Sequence, residues 1–381
     1  MKILHFISGG DTGGAKAHVL SLLDSLRKKN IDVSLLCIME GIFTKEAREM
    51  GIPVTIIPQA KRYDISVIKK IKRFIIDSKC DLVHCHGARA NYIALFIMNS
   101  LDVPFVTTLH SDYKLDFVGN WRKNLIFTPI NAFALRRFKH ILTVTNAFKK
   151  MLVSRGFKEE RLNVIYNGCD FSKDITHLTK GEFLEHFKLK HTENTVFIGI
   201  AARFDAVKGV NVFMRAVKEF CDMLPDADVS FLLPGAGETE EELKKFKADN
   251  NLEKAHFLGM INDEKIMNGF FNTVDVNCLT SYSESFPYAL LEGARAGKAT
   301  VATAVGGIVE MIDDGINGCL VGSDDSKALA AVWKTLYENK ALRDKYGAAF
   351  RQKAVEKFSV ESMADTHEKI YKYIIEKEGK K

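Results

Sequence analysis

The chain of 381 residues predicts an α/β protein made of two doubly wound, Rossmann-like domains in series. Short β-rich apolar runs alternate with longer amphipathic stretches, which is typical of βαβ units around parallel sheets. The alternation stops in the polar segment 170–194 and then restarts. We therefore expect an N-terminal domain over residues 1–180 and a C-terminal domain over 181–355. Residues 356–381 are expected to form a helix that packs back on the N-terminal domain.

The strands are predicted from the apolar runs, taken in chain order. In the first domain they are residues 2–7, 32–38, 54–57, 81–85, 105–109, 141–144 and 162–166. In the second they are residues 196–201, 229–233, 256–258, 274–279, 300–303 and 319–321. Beyond Ser326 only helical periodicity remains, and it ends in a stretch where Met363, His367 and Tyr371 share one face.

Composition excludes several classes of protein. With 46% hydrophobic and 27% charged residues, the chain is not intrinsically disordered. Its apolar runs fall well short of the roughly 20 residues that a membrane-spanning helix needs, and the first run is too short for a signal peptide. The seven cysteines form no CxxC pair and are interpreted as buried thiols. We expect a cytoplasmic protein.

The net charge of +6 is unevenly divided, with +12 in residues 1–180 and −6 in residues 181–381. Basic residues cluster in the amphipathic stretch 61–76, and again in 121–123 and 136–139. Two interpretations stay open: peripheral association with an anionic membrane, at the inner face of the plasma membrane, or solvated basic faces of ordinary helices. No aromatic interleaving or known motif supports nucleic-acid binding.

A glycine-rich loop, residues 9–14, follows the first predicted strand. Glycines at such a turn let backbone N–H groups approach a phosphate at a helix N-terminus, although a tight structural turn explains them equally well. Position 11 is Asp, so the loop does not fit the dinucleotide pattern G-x-G-x-x-G, and the chain has no P-loop motif.

Two cations follow the first strand of the second domain. Arg203 and Lys208 lie at a strand end, just before a predicted helix, where they can clamp a diphosphate, Arg as a fork and Lys as a point charge. Gly235 and Gly237 end the next strand and leave room for a ligand near the backbone. The alternative is that Arg203 and Lys208 are an ordinary pair of surface cations that bind no ligand.

The segment 281–297 carries the strongest signal. Pro287 suits the first turn of a helix, which places Glu284 on the preceding loop and Glu292 within the helix. The N–H groups from Ser285 to Tyr288 are then expected to face an anion.

Glu284 and Glu292 form an E-x7-E motif, and the segment around it resembles the retaining glycosyltransferases of family 4, which have the GT-B fold. The resemblance covers nearly the whole chain because further landmarks occur in order. They are the loop 9–14, His110, Asn167-Gly168-Cys169-Asp170, Arg203 with Lys208, Gly235 with Gly237, and Gly306-Gly307-Ile308-Val309-Glu310. Cys169 departs mildly from the family, where Val or Ile is usual.

The resemblance implies a role for each of these residues. Glu292 would accept hydrogen bonds from the ribose of a sugar nucleotide, Glu284 would bind hydroxyls of the donor sugar, and His110 would lie near the reacting sugar. Arg203 and Lys208 would neutralise the diphosphate, so no metal or other cofactor is expected. The remaining donor-binding residues would be Gly13, Gly14, Gly235, Gly237, Ser285, Phe286 and Pro287.

The resemblance also implies the substrates, and it leaves two alternative functions open. We expect a nucleotide-sugar donor, UDP-linked, and a hydroxyl acceptor on a lipid-linked or growing cell-surface glycan. A catalytically silent GT-B subunit and a sugar-nucleotide epimerase of the same fold are the alternatives. The five-residue set of Glu284, Glu292, Arg203, Lys208 and His110 argues against the silent subunit, and the E-x7-E motif points away from the epimerase.

Three other patterns resemble sites of a different chemistry. The carboxylates of Asp226 and Asp228 match a metal-binding D-x-D, but they precede a strand and so lie at the wrong end of the sheet. His84 and His86 alternate on one strand and face the same way, but no third metal ligand is evident from the sequence. Two carboxylates also serve glycosidases, but the cations make that interpretation unnecessary.

Overall fold

The computed structural model describes residues 1–10, 13–59, 66–114, 121–171 and 175–378. Their strands are β1 (Lys2–Ile7), β2 (Asp32–Cys37), β3 (Val54–Ile56), β4 (Leu82–His86), β5 (Phe105–Leu109), β6 (His140–Thr143), β7 (Leu162–Val164), β8 (Val196–Gly199), β9 (Val229–Pro234), β10 (Ala255–Gly259), β11 (Val276–Leu279), β12 (Ala299–Thr303) and β13 (Cys319–Val321). Every strand predicted from the sequence is confirmed, with bounds that differ by two residues at most.

The helices fill the intervals between the strands and the C-terminal region. They are α1 (Gly13–Lys28), α2 (Ile42–Glu49), α3 (Ser66–Ser78), α4 (Gly87–Ile97), α5 (Trp121–Arg137), α6 (Asn146–Ser154), α7 (Lys180–His186), α8 (Val210–Met223), α9 (Glu240–Asp249), α10 (Glu264–Thr273), α11 (Tyr288–Arg295), α12 (Ile308–Met311), α13 (Ser326–Glu338), α14 (Lys340–Lys357) and α15 (Val360–Glu378).

The chain divides into two compact units. The first contains Met1–Asp170 together with Ser359–Lys381, and the second contains Phe171–Phe358. The sequence predicts these boundaries at residues 180 and 355. The segment after Asp170 includes α7, whose Phe183 and Leu184 belong to a core cluster of the second unit.

The first unit is built on a parallel sheet whose strand order, in the described residues, is β3-β2-β1-β4-β5-β6-β7. Its central strands are buried on both faces and consist largely of apolar side chains, as parallel sheets require. The order reverses between β1 and β4, so the loops that follow these two strands diverge at the carboxyl edge of the sheet. Such a switch point is where open α/β sheets bind ligands.

Helix α15 completes the first unit, as the sequence predicts. It packs against α1, and Met363, Tyr371 and Ile374 join the core formed by α1 and the sheet. The helix begins where the backbone N–H of Val360 donates to the carbonyl of Cys169 over 3.1 Å. The Asn-Gly-Cys-Asp landmark therefore has a structural role at the start of this helix.

The second unit has its own parallel sheet, with the order β10-β9-β8-β11-β12-β13 in the part of the chain that the structure describes. Its core is dominated by large side chains from α8, β9 and α13, with Phe213, Phe231 and Trp333 in contact with one another. The strand order reverses between β8 and β11. The loops after these two strands carry the predicted Arg203, Lys208 and Glu284.

Candidate functional site

The site in the second unit centres on a pair of opposite charges. Lys208 Nζ donates to Glu284 Oε1 over 2.6 Å, and Ser281 Oγ donates to the same oxygen over 2.7 Å. The side chains of Lys208 and Glu284 are 21% and 7% exposed, so this pair is largely removed from water. Each residue comes from one of the two loops at the switch point, as the sequence predicts. Their direct pairing was not predicted.

Hydrogen bonds to backbone groups fix each loop and join the two. Asp205 accepts a hydrogen bond from the N–H of Lys208 over 3.0 Å, which caps a single 3-10 turn. Thr280 Oγ1 then donates to the carbonyl of Gly209 over 2.8 Å. On the other side, the N–H of Gly307 donates to the carbonyl of Glu284 over 3.2 Å. Hydrogen bonds on both sides therefore hold the loop that carries Glu284.

Gly235 and Gly237 are required by the frame itself. A Cβ on Gly235 would lie 2.0 Å from the carbonyl oxygen of Ala202, and one on Gly237 would lie 2.2 Å from that of Phe204. No real Cβ makes such contacts, so a larger side chain would push apart the loops after β8 and β9. This close approach explains both glycines without a ligand.

Arg203 differs from Lys208 in its surroundings. Its guanidinium pairs with Asp205 over 3.0 Å, and its side chain is 73% exposed. An exposed pair of this kind contributes little to stability, so Arg203 can exchange Asp205 for another anion at low cost. Of the two predicted cations, Lys208 is the fixed one and Arg203 the adaptable one.

The helix of the E-x7-E segment starts one residue later than predicted. Pro287 is not in the first turn: it is the N-cap of α11, in an extended conformation, and its carbonyl accepts from the N–H of Leu290 over 3.2 Å. The first helical N–H groups are therefore those of Tyr288 and Ala289, not a series from Ser285 to Tyr288. Because proline has no N–H, Pro287 itself contributes no donor to this set of free N–H groups.

The neighbouring residues of the segment have separate tasks. The ring of Phe286 is buried and packs edge-on against Phe358, with ring centroids 5.0 Å apart. This side chain anchors the loop in the core of the second unit, so only its backbone can face a ligand. Ser285 lies on the loop and is partly exposed.

Glu292 lies on α11 and lines a cavity of about 580 Å³. The cavity is formed within the second unit, and its polar lining includes Asn268, Arg295 and Arg351. Burial raises the pKa of Glu292 to about 7, although the nearby Arg295 acts in the opposite direction. A carboxyl group that titrates near neutral pH is typical of functional sites.

In the first unit, the glycine-rich loop leads from β1 into α1. The helix begins at Gly13 and continues through Gly14, while residues 11 and 12 of the predicted loop lie outside the described residues. Gly10 follows a short turn in which its N–H donates to Ser8 Oγ over 3.4 Å. Gly13 and Gly14, which the sequence predicts as the end of the loop, are thus the first two residues of the helix.

His110 follows β5 and is partly exposed. A hydrogen bond of 3.1 Å joins Nε2 of His110 to Nδ1 of His86. The ring of His110 also contacts the ring of His18 edge-on, with 4.9 Å between their centroids. Burial among these rings lowers the pKa of His110 well below its usual value, with the charge of His18 acting in the same direction. His110 is therefore neutral near pH 7.

The expectation that His84 and His86 lack a third partner is wrong. Among the described residues, His5, His84 and His86 have ring nitrogens that all lie within 4.8 Å of one another. The parallel register pairs His5 with His84, which places them side by side on adjacent strands. The sequence does contain this third histidine, His5 in β1. Its position beside His84 can be recognised only once the strand order is known.

These three rings do not fit a divalent cation well. His84 already uses both nitrogens, Nδ1 with the hydroxyl of Tyr371 over 2.6 Å and Nε2 with Thr108 Oγ1 over 2.7 Å. Nδ1 of His5 and Nε2 of His86 are likewise engaged with each other, in a hydrogen bond of 3.0 Å. Burial also lowers the pKa of His5 to about 3. We interpret the three as neutral, hydrogen-bonded histidines.

The D-x-D sequence serves the fold. Asp228 immediately precedes β9 and accepts hydrogen bonds from the hydroxyls of Thr192 and Thr195 over 2.5 and 2.7 Å. These bonds lower the pKa of Asp228. The carboxylate thus ties the segment before β8 to the start of β9, at the amino end of the sheet, as predicted.

The predicted basic stretch 61–76 becomes helix α3, while residues 61–65 lie outside the described part of the chain. Val67, Ile71 and Ile75 are buried, and Lys69 and Lys70 are exposed. The apolar face of α3 is therefore occupied by the protein, which supports the interpretation as a helix with a solvated basic face. In the second stretch, Phe138 is buried and Lys139 pairs with Glu378 over 3.0 Å.

No helix among the described residues combines the length and the apolar character that a bilayer-spanning segment needs.

Comparisons with known proteins identify the family of this chain. The family model described as Glycosyltransferase Family 4 matches residues 12–173, and that described as Glycosyl transferases group 1 matches residues 182–353. The chain is 24% identical to the phosphatidyl-myo-inositol mannosyltransferase of Mycobacterium leprae, over 95% of this chain and 93% of the relative. It is 23% identical to an Escherichia coli UDP-Gal:alpha-D-GlcNAc-diphosphoundecaprenol alpha-1,3-galactosyltransferase, over 97% and 96% of the two chains.

Solved structures show the same fold. HepE from Anabaena in complex with UDP-glucose superposes with a TM-score of 0.82 at 21% identity, covering 98% of this chain and all of the other. Two Rossmann-like parallel sheets, each with candidate ligand-binding loops at its switch point, thus define a GT-B protein. The chain belongs to the glycosyltransferases of family 4, and it is an enzyme of that class.

Proposed function

We propose that this enzyme transfers a sugar from a UDP-sugar to a hydroxyl of a lipid-linked or growing cell-surface glycan, with retention at the anomeric carbon and without a metal ion. The observation that carries the proposal is the buried pair of Lys208 and Glu284 at the switch point of the second sheet. It combines an acceptor for sugar hydroxyls with a cation for a phosphate.

The transfer breaks the bond between C1 of the sugar and the diphosphate oxygen, and forms a bond from C1 to the acceptor oxygen. The proton of the acceptor hydroxyl passes to the diphosphate, which leaves with the bonding electrons. Lys208 is suited to neutralise the charge that develops on the leaving oxygen, because an ammonium has three donors and can keep Glu284 while it binds a phosphate oxygen. Arg203 can add a second cation by leaving Asp205.

The N-terminus of α11 supports the same role. Its first N–H groups, at Tyr288 and Ala289, follow Glu284 by a few residues, and a helix N-terminus favours an anion. Fixed dipoles and cations of this kind stabilise a transition state without a metal. We therefore expect the diphosphate to be bound by protein groups alone.

The nucleoside is assigned to the surroundings of Glu292. A carboxylate is an acceptor-only group and suits the two hydroxyls of a ribose. The cavity beside it, about 580 Å³, falls within the range of small-molecule sites. A uridine nucleotide is supported by the Anabaena neighbour, which was crystallised with UDP and with UDP-glucose.

The acceptor is proposed from the relatives. One is named for phosphatidyl-myo-inositol and another for a diphosphoundecaprenol-linked sugar, and both acceptors carry a lipid. The surplus of positive charge in residues 1–180 suits work at an anionic leaflet, on the cytoplasmic face of the membrane. We place His110 of the first unit at the reacting sugar.

A two-step assay tests the proposal. Nucleotide sugars are first screened by the rise in melting temperature that they cause, and the best donor is then incubated with and without membrane lipid extract. We expect a UDP-sugar to stabilise the protein and a glycolipid to form only with extract. The anomeric proton coupling of the product, measured by NMR, should show the configuration of the donor.

Three outcomes would contradict the proposal. A product of inverted configuration would refute retention. Conversion of the donor to a new nucleotide sugar without any acceptor would favour an epimerase. The Glu284→Gln variant is the matched control, and equal turnover by this variant would show that the pair with Lys208 is not part of the site.

A further inference from the structure

The first unit contains a cluster of histidines on and next to its central strands, all of them buried except the partly exposed His110. Its members come from β1, α1, β4, the end of β5 and α15: His5, His18, His84, His86, His110 and His367. Neighbouring rings lie 4.0 to 6.2 Å apart between centroids. The role proposed for His110 leaves the other five unexplained.

Three of these histidines form a continuous chain of hydrogen bonds. Nδ1 of His5 and Nε2 of His86 are 3.0 Å apart, and Nδ1 of His86 and Nε2 of His110 are 3.1 Å apart. His5 and His86 are buried, and His110 is the partly exposed end. The chain therefore runs from the carboxyl edge of the sheet into the core.

A neutral imidazole has one N–H and one bare nitrogen, so the protons of the three rings are coupled. If His110 donates through Nε2, His86 must donate to His5, and the N–H of His5 is then on Nε2. If His5 donates through Nδ1, His86 donates to His110, and the proton of His110 is then on Nδ1. These are the two arrangements that keep both hydrogen bonds.

The buried end of the chain distinguishes the two arrangements. Nε2 of His5 is buried and has no hydrogen-bond partner among the described residues. The first arrangement places an N–H there without an acceptor, whereas the second leaves a bare nitrogen. Orphaned buried N–H groups are rarer in proteins than acceptors left without a donor. The second arrangement is therefore favoured.

We propose that His5 and His86 are positioning residues that hold His110 as its neutral Nδ1–H tautomer, so that His110 donates a hydrogen bond through Nδ1 to an oxygen atom of the bound substrate. His110 then acts as a donor to a sugar or phosphate oxygen and not as a base. The tautomer follows from the chain alone, whereas the identity of the oxygen rests on the proposed function.

Long-range proton–nitrogen correlation NMR on protein labelled with ¹⁵N-histidine tests the tautomer without substrate. A protonated ring nitrogen and a bare one have well-separated shifts, and the His110 signals are assigned by their loss in His110→Gln. We expect His110 to carry its proton on Nδ1. A proton on Nε2 in the wild-type protein would overturn the inference, whatever the activity of the enzyme.

Two variants test the chain. In His5→Phe the buried donor is lost, and we expect the His110 signals to shift toward a mixture of both tautomers. The matched control is His367→Gln, which changes a buried histidine of the same cluster that instead bonds to the carbonyl of Met363 over 2.8 Å. An unchanged tautomer in His5→Phe, or an equal change in His367→Gln, would contradict the positioning role.

Addition of Zn²⁺ provides another check, because a shift of the His5 and His86 signals on binding would replace the inference with a metal site.

Activity provides a separate readout that rests on the proposed function. The amide nitrogen of Asn can occupy the place of Nδ1, and that of Gln the place of Nε2. One hydrogen bond corresponds to a factor of roughly 2 to 10, so kcat of His110→Asn should exceed that of His110→Gln by about this factor. The reverse order would refute donation through Nδ1. Absence of any transfer by the wild-type protein would refute the proposed function and leave the tautomer result intact.

Discussion

Lys208 and Glu284 form an ion pair of 2.6 Å although they are 76 residues apart in the sequence. The two residues lie on loops from neighbouring strands, β8 and β11, where the order of the second sheet reverses. Before any sugar nucleotide binds, each charge thus has a partner, and the lysine keeps free N–H groups that can donate to a phosphate. The pair links the stability of the second unit to its proposed chemistry.

The first prediction concerns the loss of this lysine. Lys208→Ala leaves a buried carboxylate without its cation and should lower the free energy of unfolding by about 3 to 5 kcal/mol. It should also cost about 2 to 5 kcal/mol of transition-state stabilisation, measured from kcat/KM. Urea denaturation measures the first effect.

The matched control for this variant is Lys218→Ala. Lys218 pairs with Asp222 over 2.6 Å, but both side chains are well exposed, at 43% and 60%. Its loss should change the free energy of unfolding by less than about 1 kcal/mol. If the two variants are equally stable, the pair of Lys208 and Glu284 is not desolvated in solution.

The second prediction concerns the absence of a metal requirement. If Lys208, Arg203 and the N-terminus of α11 neutralise the diphosphate, transfer should proceed at an unchanged rate in EDTA. The measurement is the initial rate with and without chelator, followed by addition of Mn²⁺ or Mg²⁺. Loss of activity in EDTA that Mn²⁺ restores would show that a metal binds the diphosphate.

The third prediction tests the contact between Glu292 and the ribose. Hydrogen bonds to a charged group contribute roughly 1.5 to 3 kcal/mol, so Glu292→Gln should raise the Kd of the nucleotide about 10- to 150-fold. Isothermal titration calorimetry with UDP gives this value, at a pH well above 7 where the Glu292 carboxyl is ionised. The exposed Glu253→Gln is the control, and equal Kd values for the two variants would show that Glu292 does not bind the nucleotide.

The fourth prediction follows from the pKa of Glu292, which burial raises to about 7 from its usual 4.5. A folded-state pKa above the unfolded value stabilises the protein below about pH 4.5, and this contribution is lost as the pH rises through 7. The wild-type free energy of unfolding should therefore fall between pH 5 and 8 by up to about 3 kcal/mol more than that of Glu292→Gln. Parallel pH profiles of the two proteins would contradict the raised pKa.

The fifth prediction concerns the membrane. Since the apolar face of α3 is buried, any binding through this helix must be electrostatic, at about 1 kcal/mol for each cation near an anionic leaflet. The protein should sediment with anionic vesicles at low salt and be released at high salt. A variant with Lys69, Lys70, Lys72 and Arg73 changed to Gln should stay in the supernatant.

The control for the vesicle experiment carries the same number of changes in the second unit. Its four substitutions to Gln are at Lys218, Lys244, Lys334 and Lys340. This control should sediment like the wild-type protein. If the wild-type protein does not sediment at low salt, or if both variants do, the positive charge of α3 is a solvated surface and the acceptor need not be at a membrane.

Much of the fold could be predicted because its signals are local. Each strand is a short apolar run bounded by turn residues, and each can be recognised without its neighbours. The candidate cations and carboxylates were found for the same reason, since they directly follow such runs. Pro287 was misplaced by one residue, because a proline at the start of a helix is compatible with both the N-cap and the first turn.

The sequence by itself determined the two parallel sheets, the polar segment between them, and the set of residues at their carboxyl ends. Only the tertiary structure decided which of these residues meet. Strand order and register place His5 beside His84, and they bring Lys208 to Glu284. The physical reason is that periodicity reports which side of an element is buried, whereas a contact between distant residues depends on how whole strands pair and pack.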